Sequence, residues 1–376
     1  MRVLVVTNDF PPRIGGINSY VDQLFRRFPA GDVTIFSSTD RGAAAFDAQY
    51  PQEVIRLPTA MMLPTPGVRR ELHAQLRARR PDAVLFGALW PLGHMGPAIL
   101  RKTGTPYGGF SHGLELTGAL VPGLLGHIGR DASLLTAVSN WARQKLEPAF
   151  GWRDRMRLLP SGIDTDTFHP GVDDALVRDR HALGSAPVIC CVSRLVARKG
   201  QDMLIRALPR IAGEIPGVRL LIVGTGPYER TLHSLVRQHG MQGRVIFSGA
   251  VPYHELASYF RAGDVFAMPC RSRRGGLDIE ALGAVFLQAA AVGRPVIAGA
   301  SGGAPEALVH GTTGFVVAPD SPHAIAGAIV PLLADPVRAC SMGRAGAEWV
   351  HREWTWDTMA TRLRAMLAET VEAPRS

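Results

Sequence analysis

The chain has 376 residues, 46% of them hydrophobic and 19% charged, with a formal net charge of +9. Its length exceeds the usual single-core size and predicts two domains, while its composition excludes a low-complexity or extended chain. The surplus of arginine suits a polyanionic ligand, an anionic membrane or a nucleic acid.

At the N-terminus, MRVLVVTNDFPP lacks the basic start and long apolar core of a signal peptide. Val3–Thr7 fits a buried parallel strand. PPRIGGINSYVDQLFRRF then turns at Gly15 and Gly16 and enters an amphipathic helix with Ile17, Val21, Leu24 and Phe28 on its apolar positions. Val33–Ser37, Ala83–Phe86 and Leu134–Val138 predict further strands. Between them, VRRELHAQLRARRPD predicts a helix with Val68 and Leu72 on one side and Arg70, His73, Arg77 and Arg80 on the other.

PSGIDTDTFHP, residues 160–170, is turn-rich and marks an inter-domain linker. The alternation then restarts with strands at Val188–Val192, Leu220–Val223, Val245–Phe247, Val265–Met268 and Val296–Ala298, and HREWTWDTMATRLRAML closes as a helix. This pattern predicts an α/β chain of two doubly wound domains with a cleft between them. No apolar run approaches the roughly twenty residues that cross a bilayer, so a cytoplasmic protein with at most peripheral membrane contact is expected. Cys190, Cys191, Cys270 and Cys340 form no CxxC pair and no cluster with histidine. They predict reduced thiols rather than a metal site or a disulfide framework.

Two segments carry most of the chemistry. VSRLVARKGQD places Arg194 and Lys199 just after a strand, and LDIEALGAVFLQ places Glu280 ahead of a glycine-containing turn. Two cations together with side chains that bind hydroxyls are what a sugar joined to a nucleotide diphosphate requires. The cations offset charge that builds on the leaving diphosphate, each charge-assisted hydrogen bond contributing about 1.5–3 kcal/mol. Gly15 and Gly16 let backbone approach a ligand closely at a helix N-terminus. Gly224 and Gly226 in VGTGPY predict a tight strand-to-helix turn. The cations are too dispersed, and too little interleaved with aromatics, for a nucleic-acid partner.

TNDFPPRIGGINSY, SHGLE, SRLVARKGQD, VGTGPY, DVFAMPCRSRRGGLDIEALGAVFLQA, SGGAPE and REWTWD together resemble the retaining glycosyltransferases of family four over essentially the whole chain. Within that family the chain is similar to the actinobacterial GDP-mannose-dependent phosphatidylinositol-mannoside mannosyltransferases. The resemblance implies the GT-B fold: an acceptor-binding Rossmann-like domain over 1–165, rejoined by a helix over 353–376, and a nucleotide-sugar-binding domain over 166–352. It implies that His112, Arg194, Lys199 and Glu280 serve the transfer. The backbone of Gly283, Ala284 and Val285 would face the diphosphate, and Val251, beside Ala250, would lie near the base.

Gln288 departs from the family's Glu-(seven residues)-Glu motif, whose second acid grips the ribose hydroxyls, and Ala281 and Leu114 depart from common family choices. The family's chemistry implies attack on the sugar face from which the diphosphate leaves, with no obligatory enzymic base and no metal. The expected partners are a nucleotide-sugar donor, a lipid acceptor and an anionic membrane surface reached through Arg70, Arg77 and Arg80. Two alternatives stand beside this: the same fold with another nucleotide sugar or a soluble acceptor, and a non-catalytic protein that binds nucleotide sugar.

Overall fold

Apolar runs without alternation can be buried only if both faces of a sheet are covered, and parallel sheets flanked by helices provide that. The computed structural model describes residues 1–113, 115, 123–153, 155–276 and 278–372, so Leu114 and the end of the expected closing helix lie outside the described residues. It divides into two units, Met1–Gly162 with Trp356–Ser376, and Ile163–Thr355.

The first unit is a seven-stranded parallel sheet in the order β3-β2-β1-β4-β5-β6-β7. The strands are β1 (Val3–Thr7), β2 (Val33–Ser38), β3 (Glu53–Leu57), β4 (Ala83–Phe86), β5 (Tyr107–Ser111), β6 (Leu134–Ala137) and β7 (Arg157–Leu158). Every residue of β1, β4, β5 and β6 is buried. The second unit has six parallel strands in the order β10-β9-β8-β11-β12-β13. These are β8 (Val188–Val192), β9 (Arg219–Val223), β10 (Val245–Gly249), β11 (Val265–Met268), β12 (Val296–Gly299) and β13 (Gly314–Val317). Strand order reverses between β1 and β4 in one sheet and between β8 and β11 in the other. Ligands of doubly wound sheets sit beyond the carboxyl ends of the strands at such reversals.

Two strands that hydrophobic pattern did not predict, β3 and β13, are both sheet edges. An edge strand is less fully enclosed, and Glu53 and Arg56 in β3 interrupt the apolar run that identifies the central strands. The helix after Gly15 spans Gly16–Phe25 and buries Tyr20, Val21, Leu24 and Phe25. Phe28 lies beyond its end, yet is buried in the same core.

The inter-unit junctions fall at Gly162/Ile163 and Thr355/Trp356, a few residues from the expected boundaries at 165/166 and 352/353. The reason is local. The Ile163 N–H donates to the Trp354 carbonyl at 2.7 Å, so the two crossing strands of chain are tied together inside the second unit. On the other side, Gly162 packs so closely on Trp356 that an added Cβ would lie 2.6 Å from the indole.

The closing helix, Trp356–Glu372, buries Trp356, Met359, Ala360, Leu363 and Leu367 against Val3, Val5, Tyr20 and Phe110 of the first unit. Replacing Leu363, which has no exposed surface, by alanine is expected to destabilise this unit by about 2–5 kcal/mol. Chemical denaturation of wild type and L363A checks it.

Candidate functional site

In the second unit, β8 ends at Val192 and the chain runs through Ser193 and Arg194 to a short 3-10 turn, Ala197–Lys199, before the helix Gln201–Glu214. The VGTGPY turn after β9 fixes this segment. The Leu195 N–H donates to the Thr225 carbonyl at 2.9 Å, and the Tyr228 N–H to the Leu195 carbonyl at 3.0 Å. A Cβ on Gly226 would lie 2.3 Å from the Leu195 carbonyl oxygen, so the turn needs glycine for this close approach.

Lys199 is thereby placed, almost fully buried, against Glu280, with its Nζ donating to Oε2 at 2.5 Å. Arg198 donates from Nη1 to the same oxygen at 2.8 Å and from Nε pairs with Asp278 Oδ1 at 3.1 Å. Burial alone would raise the Glu280 pKa, but Lys199 and Arg198 outweigh it and hold the carboxyl below the usual carboxylate range. Both cations engage one oxygen, so Oε1 remains as an acceptor for hydroxyl groups. The Glu280 carbonyl accepts from the Gly303 N–H at 2.9 Å, which explains why SGGAPE accompanies this acid.

Arg194 stands apart from this cluster: it is exposed, and among the described residues its guanidinium has no carboxylate partner. Arg198 and Asp278 were not singled out from sequence. Arg198 sits inside the RKG match, but nothing in the spacing distinguishes a second cation on Glu280 from a solvated one.

Gly283, in the left-handed region at φ 88°, precedes the helix Ala284–Ala291. A Cβ there would lie 3.3 Å from Glu280 Cγ, so the glycine brings the helix start next to the acid. The first-turn N–H groups of Ala284 and Val285 have no acceptor within their own helix. Gln288, on the same helix, is half-buried, and among the described residues its side-chain amide makes no hydrogen bond. Val251 follows the edge strand β10, whose Gly249 carbonyl accepts from the Gly224 N–H at 2.8 Å.

The first unit has a corresponding cluster at its own reversal. His112 follows β5, and its Nε2 lies 2.9 Å from the Gly87 carbonyl oxygen just beyond β4. Its ring meets Tyr20 edge-on at 4.8 Å, and the Tyr20 hydroxyl donates to the Leu159 carbonyl at 2.9 Å. Tyr20 lies on the helix that Gly16 begins. A Cβ on Gly16 would meet nothing within 4 Å, whereas one on Gly15 would lie 2.6 Å from Asn18 Oδ1. Gly15 is therefore fixed by packing within the unit, and only Gly16 borders open space. Asp9, after β1, was also missed from sequence. Burial raises its carboxyl pKa, and His112 and Arg13 only partly offset this.

The predicted basic face is altered at one end. Arg70 and Arg77 are exposed on the helix Pro66–Arg79, but Arg80 lies past its end, at φ 46°, as the capping residue. With Arg77, Lys102 and Asp82 it lines a cavity of about 640 Å³. His73 is half-buried, with its pKa lowered by burial and by Lys102 and Arg77. Cys190, Cys191, Cys270 and Cys340 are free thiols. Burial pushes Cys191 and Cys270 up to about 12, which makes them inert as nucleophiles. Among the described residues no single helix is long and apolar enough to cross a membrane.

A family model described as Glycosyltransferase Family 4 matches residues 14–167, and one described as Glycosyl transferases group 1 matches residues 174–349. The chain is 42% identical to the GDP-mannose-dependent alpha-(1-6)-phosphatidylinositol monomannoside mannosyltransferase of Mycolicibacterium smegmatis, over 99% of both chains. The chain belongs to the family 4 glycosyltransferases. A Corynebacterium glutamicum relative, named for a monoacylated form of the same acceptor, is 41% identical over 97% of both chains. Solved structures share the fold of this glycosyltransferase. Anabaena HepE in complex with UDP superposes with a TM-score of 0.82 at 21% identity, covering 98% of this chain and 100% of that one. Sucrose-phosphate synthase from Thermosynechococcus elongatus does so with 0.76 at 23%, covering 98% and 99%. The GT-B class implied by the motifs is the class observed, with one doubly wound parallel sheet in each unit.

Because the folded-state pKa of Glu280 is depressed, its contribution to stability is complete above its ordinary value of 4.5 and is lost as the pH falls through the lower folded value. E280Q leaves Lys199 and Arg198 without their counter-charge and is expected to lower Tm at neutral pH. The Tm gap between E280Q and wild type should narrow on acidification. A gap that stays constant from neutral pH to about pH 3 would remove the ion pair as its cause.

Proposed function

We propose that this glycosyltransferase is a retaining α-mannosyltransferase that moves mannose from GDP-mannose onto a phosphatidylinositol mannoside at a membrane surface. The observation that carries this reading is the 42% identity, over 99% of each chain, with a protein named for that reaction. The geometry supports it, because Lys199, Arg198 and Glu280 form a buried charged cluster at the strand reversal where the fold binds ligands.

In this reading the C1–O bond to the β-phosphate breaks and its electron pair leaves with GDP. The acceptor hydroxyl bonds to C1 from the same face, and its proton passes to the departing phosphate oxygen. Lys199 and the unpaired Arg194 balance charge on the diphosphate as it leaves. The first-turn N–H groups of Ala284 and Val285 add partial positive charge at the same place. Glu280 Oε1 accepts from hydroxyls of the transferred sugar, with Oε2 held by its two cations. His112 contributes an imidazole to the same sugar. These cations take the part that a divalent ion plays elsewhere, so the enzyme works without metal.

Gln288 favours one variation on this reading. An amide offers one acceptor and one donor group where a carboxylate accepts from both ribose hydroxyls. Exchanging a charged hydrogen bond for a neutral one costs about 1 kcal/mol, or several-fold in affinity. The donor is therefore held more weakly here, or a nucleotide sugar other than GDP-mannose is preferred.

Calorimetric titration with GDP, UDP and ADP in the presence of EDTA tests the donor. GDP is expected to bind best and without metal, and Q288E to bind it several-fold more tightly. Preference for UDP or ADP overturns the GDP-mannose assignment and leaves the family intact. Transfer of labelled mannose to phosphatidylinositol monomannoside then tests the acceptor.

The exposed Arg77 and Arg80 fit an anionic lipid surface, each cation contributing about 1 kcal/mol at best. R77E/R80E should lower sedimentation with phosphatidylinositol-containing vesicles at low salt by about tenfold or more, and leave GDP binding unchanged. Equal sedimentation of the two proteins removes this surface as the membrane contact.

A further inference from the structure

Glu115 is 1% exposed. A buried carboxylate persists only where its lone pairs are matched by donors. Among the described residues its donors come from the short stretch of chain just before it. Glu115 Oε2 accepts from Ser111 Oγ at 3.1 Å, from the His112 N–H at 3.0 Å and from the Gly113 N–H at 3.1 Å. Among the described residues no cation forms an ion pair with it. The chain leaves β5 at Ser111 and turns at Gly113, which has φ 94°, so the carboxylate reaches back to fasten the turn from inside.

The residue at the centre of that turn is His112. Its Nε2 faces the Gly87 carbonyl oxygen at 2.9 Å. A carbonyl oxygen only accepts, so in the neutral imidazole Nε2 carries the proton and Nδ1 is left as an acceptor. Tyr20 packs against the ring in an edge-to-face contact, and Gly87 holds it at Nε2. Neither contact fixes the backbone from which the ring projects. Glu115 does, through the N–H groups of His112 and of the next residue.

We propose that Glu115 is a positioning residue for His112: by fastening the 111–113 turn it keeps the imidazole in the Nε2–H tautomer, with Nδ1 directed as an acceptor toward a hydroxyl of the transferred hexose. This rests on the glycosyltransferase reading for the identity of the ligand, but not for the state of the ring. E115Q retains a side-chain oxygen that can accept from the two N–H groups. E115A removes all acceptors and leaves two partly buried N–H groups and the buried Ser111 hydroxyl without their partner. The function of Glu115 runs through His112, so the effects of losing either side chain overlap rather than multiply.

The test compares E115A, E115Q, H112A and E115A/H112A in the full-length protein. Displacement of a sugar-contacting group by about 1 Å can cost on the order of a hundredfold in rate. E115A is therefore expected to lower kcat for mannose transfer about 10- to 100-fold, with GDP affinity by calorimetry within about twofold of wild type. E115Q should recover most of the rate, and the double variant should be no slower than H112A. Rate losses that multiply in the double variant, or a parallel loss of GDP affinity in E115A, overturn the proposal.

A second readout is independent of substrate. Imidazole 15N shifts of His112 should report the Nε2–H tautomer in wild type and E115Q, and a mixture of tautomers in E115A. An unchanged His112 signature in E115A overturns the proposal even where activity falls. If wild type transfers no mannose but its ring signature is lost in E115A, the positioning inference stands and the GDP-mannose reading falls. If E115A does not fold, E115Q carries the test. A rate and ring signature like wild type then support the proposal, and a rate like H112A overturns it.

Discussion

Glu280 is a buried carboxylate with Lys199 and Arg198 on one of its oxygens, and much of the second unit serves to bring these three side chains together. The adjacent cations and the acid lie 81 and 82 residues apart in sequence and meet only because β8 and β11 are neighbours in the sheet. A charge cluster of this kind is costly to bury unless each member is paired. The VGTGPY turn holds the segment that leads to Lys199, and the SGGAPE loop holds the backbone of Glu280. Gly283 lets a helix begin beside the acid, where unpaired N–H groups favour anions. Several motifs that read as separate glycine-rich turns are thus supports for one cluster.

The first unit solves a different problem with the same topology. Its reversal between β1 and β4 gathers the imidazole of His112, the carbonyl of Gly87, the ring of Tyr20 and the partly buried Asp9. The closing helix completes this unit, since Trp356 packs on Tyr20 at 5.6 Å and so supports the ring that faces His112. The start of the closing helix therefore bears on a loop that lies far back in the sequence.

The central strands were legible because burial on both faces demands uninterrupted apolar residues, as in Val188–Val192 and Val265–Met268. The edge β3 was not, because edge strands tolerate polar residues such as Glu53 and Arg56. Lys199, Glu280 and His112 could be named from motif matches, and each lies at a sheet reversal. Arg198, Asp278, Glu115 and Asp9 could not be singled out. Their roles depend on a partner's position: Arg198 differs from a solvated arginine only in touching Glu280, and Glu115 from a surface acid only in being enclosed. Arg80 is exposed, as its spacing predicts, but it caps the helix end instead of lying on the helix face.

The sequence by itself determined the α/β alternation, the two-unit plan, the motif residues of a family 4 glycosyltransferase and the departure at Gln288. These are encoded locally, in apolar runs, turn residues and spacing along one segment, where each signal is complete within a few residues. Only the tertiary structure decided which charges are paired, which glycines are held by packing and which border open space, and which nitrogen of His112 bears the proton. Those properties depend on groups brought together from distant segments and on the loss of water around them. The same carboxylate is a solvated acid in an open chain, and at Glu280 or Glu115 it becomes the centre of a local structure once water is replaced by fixed donors.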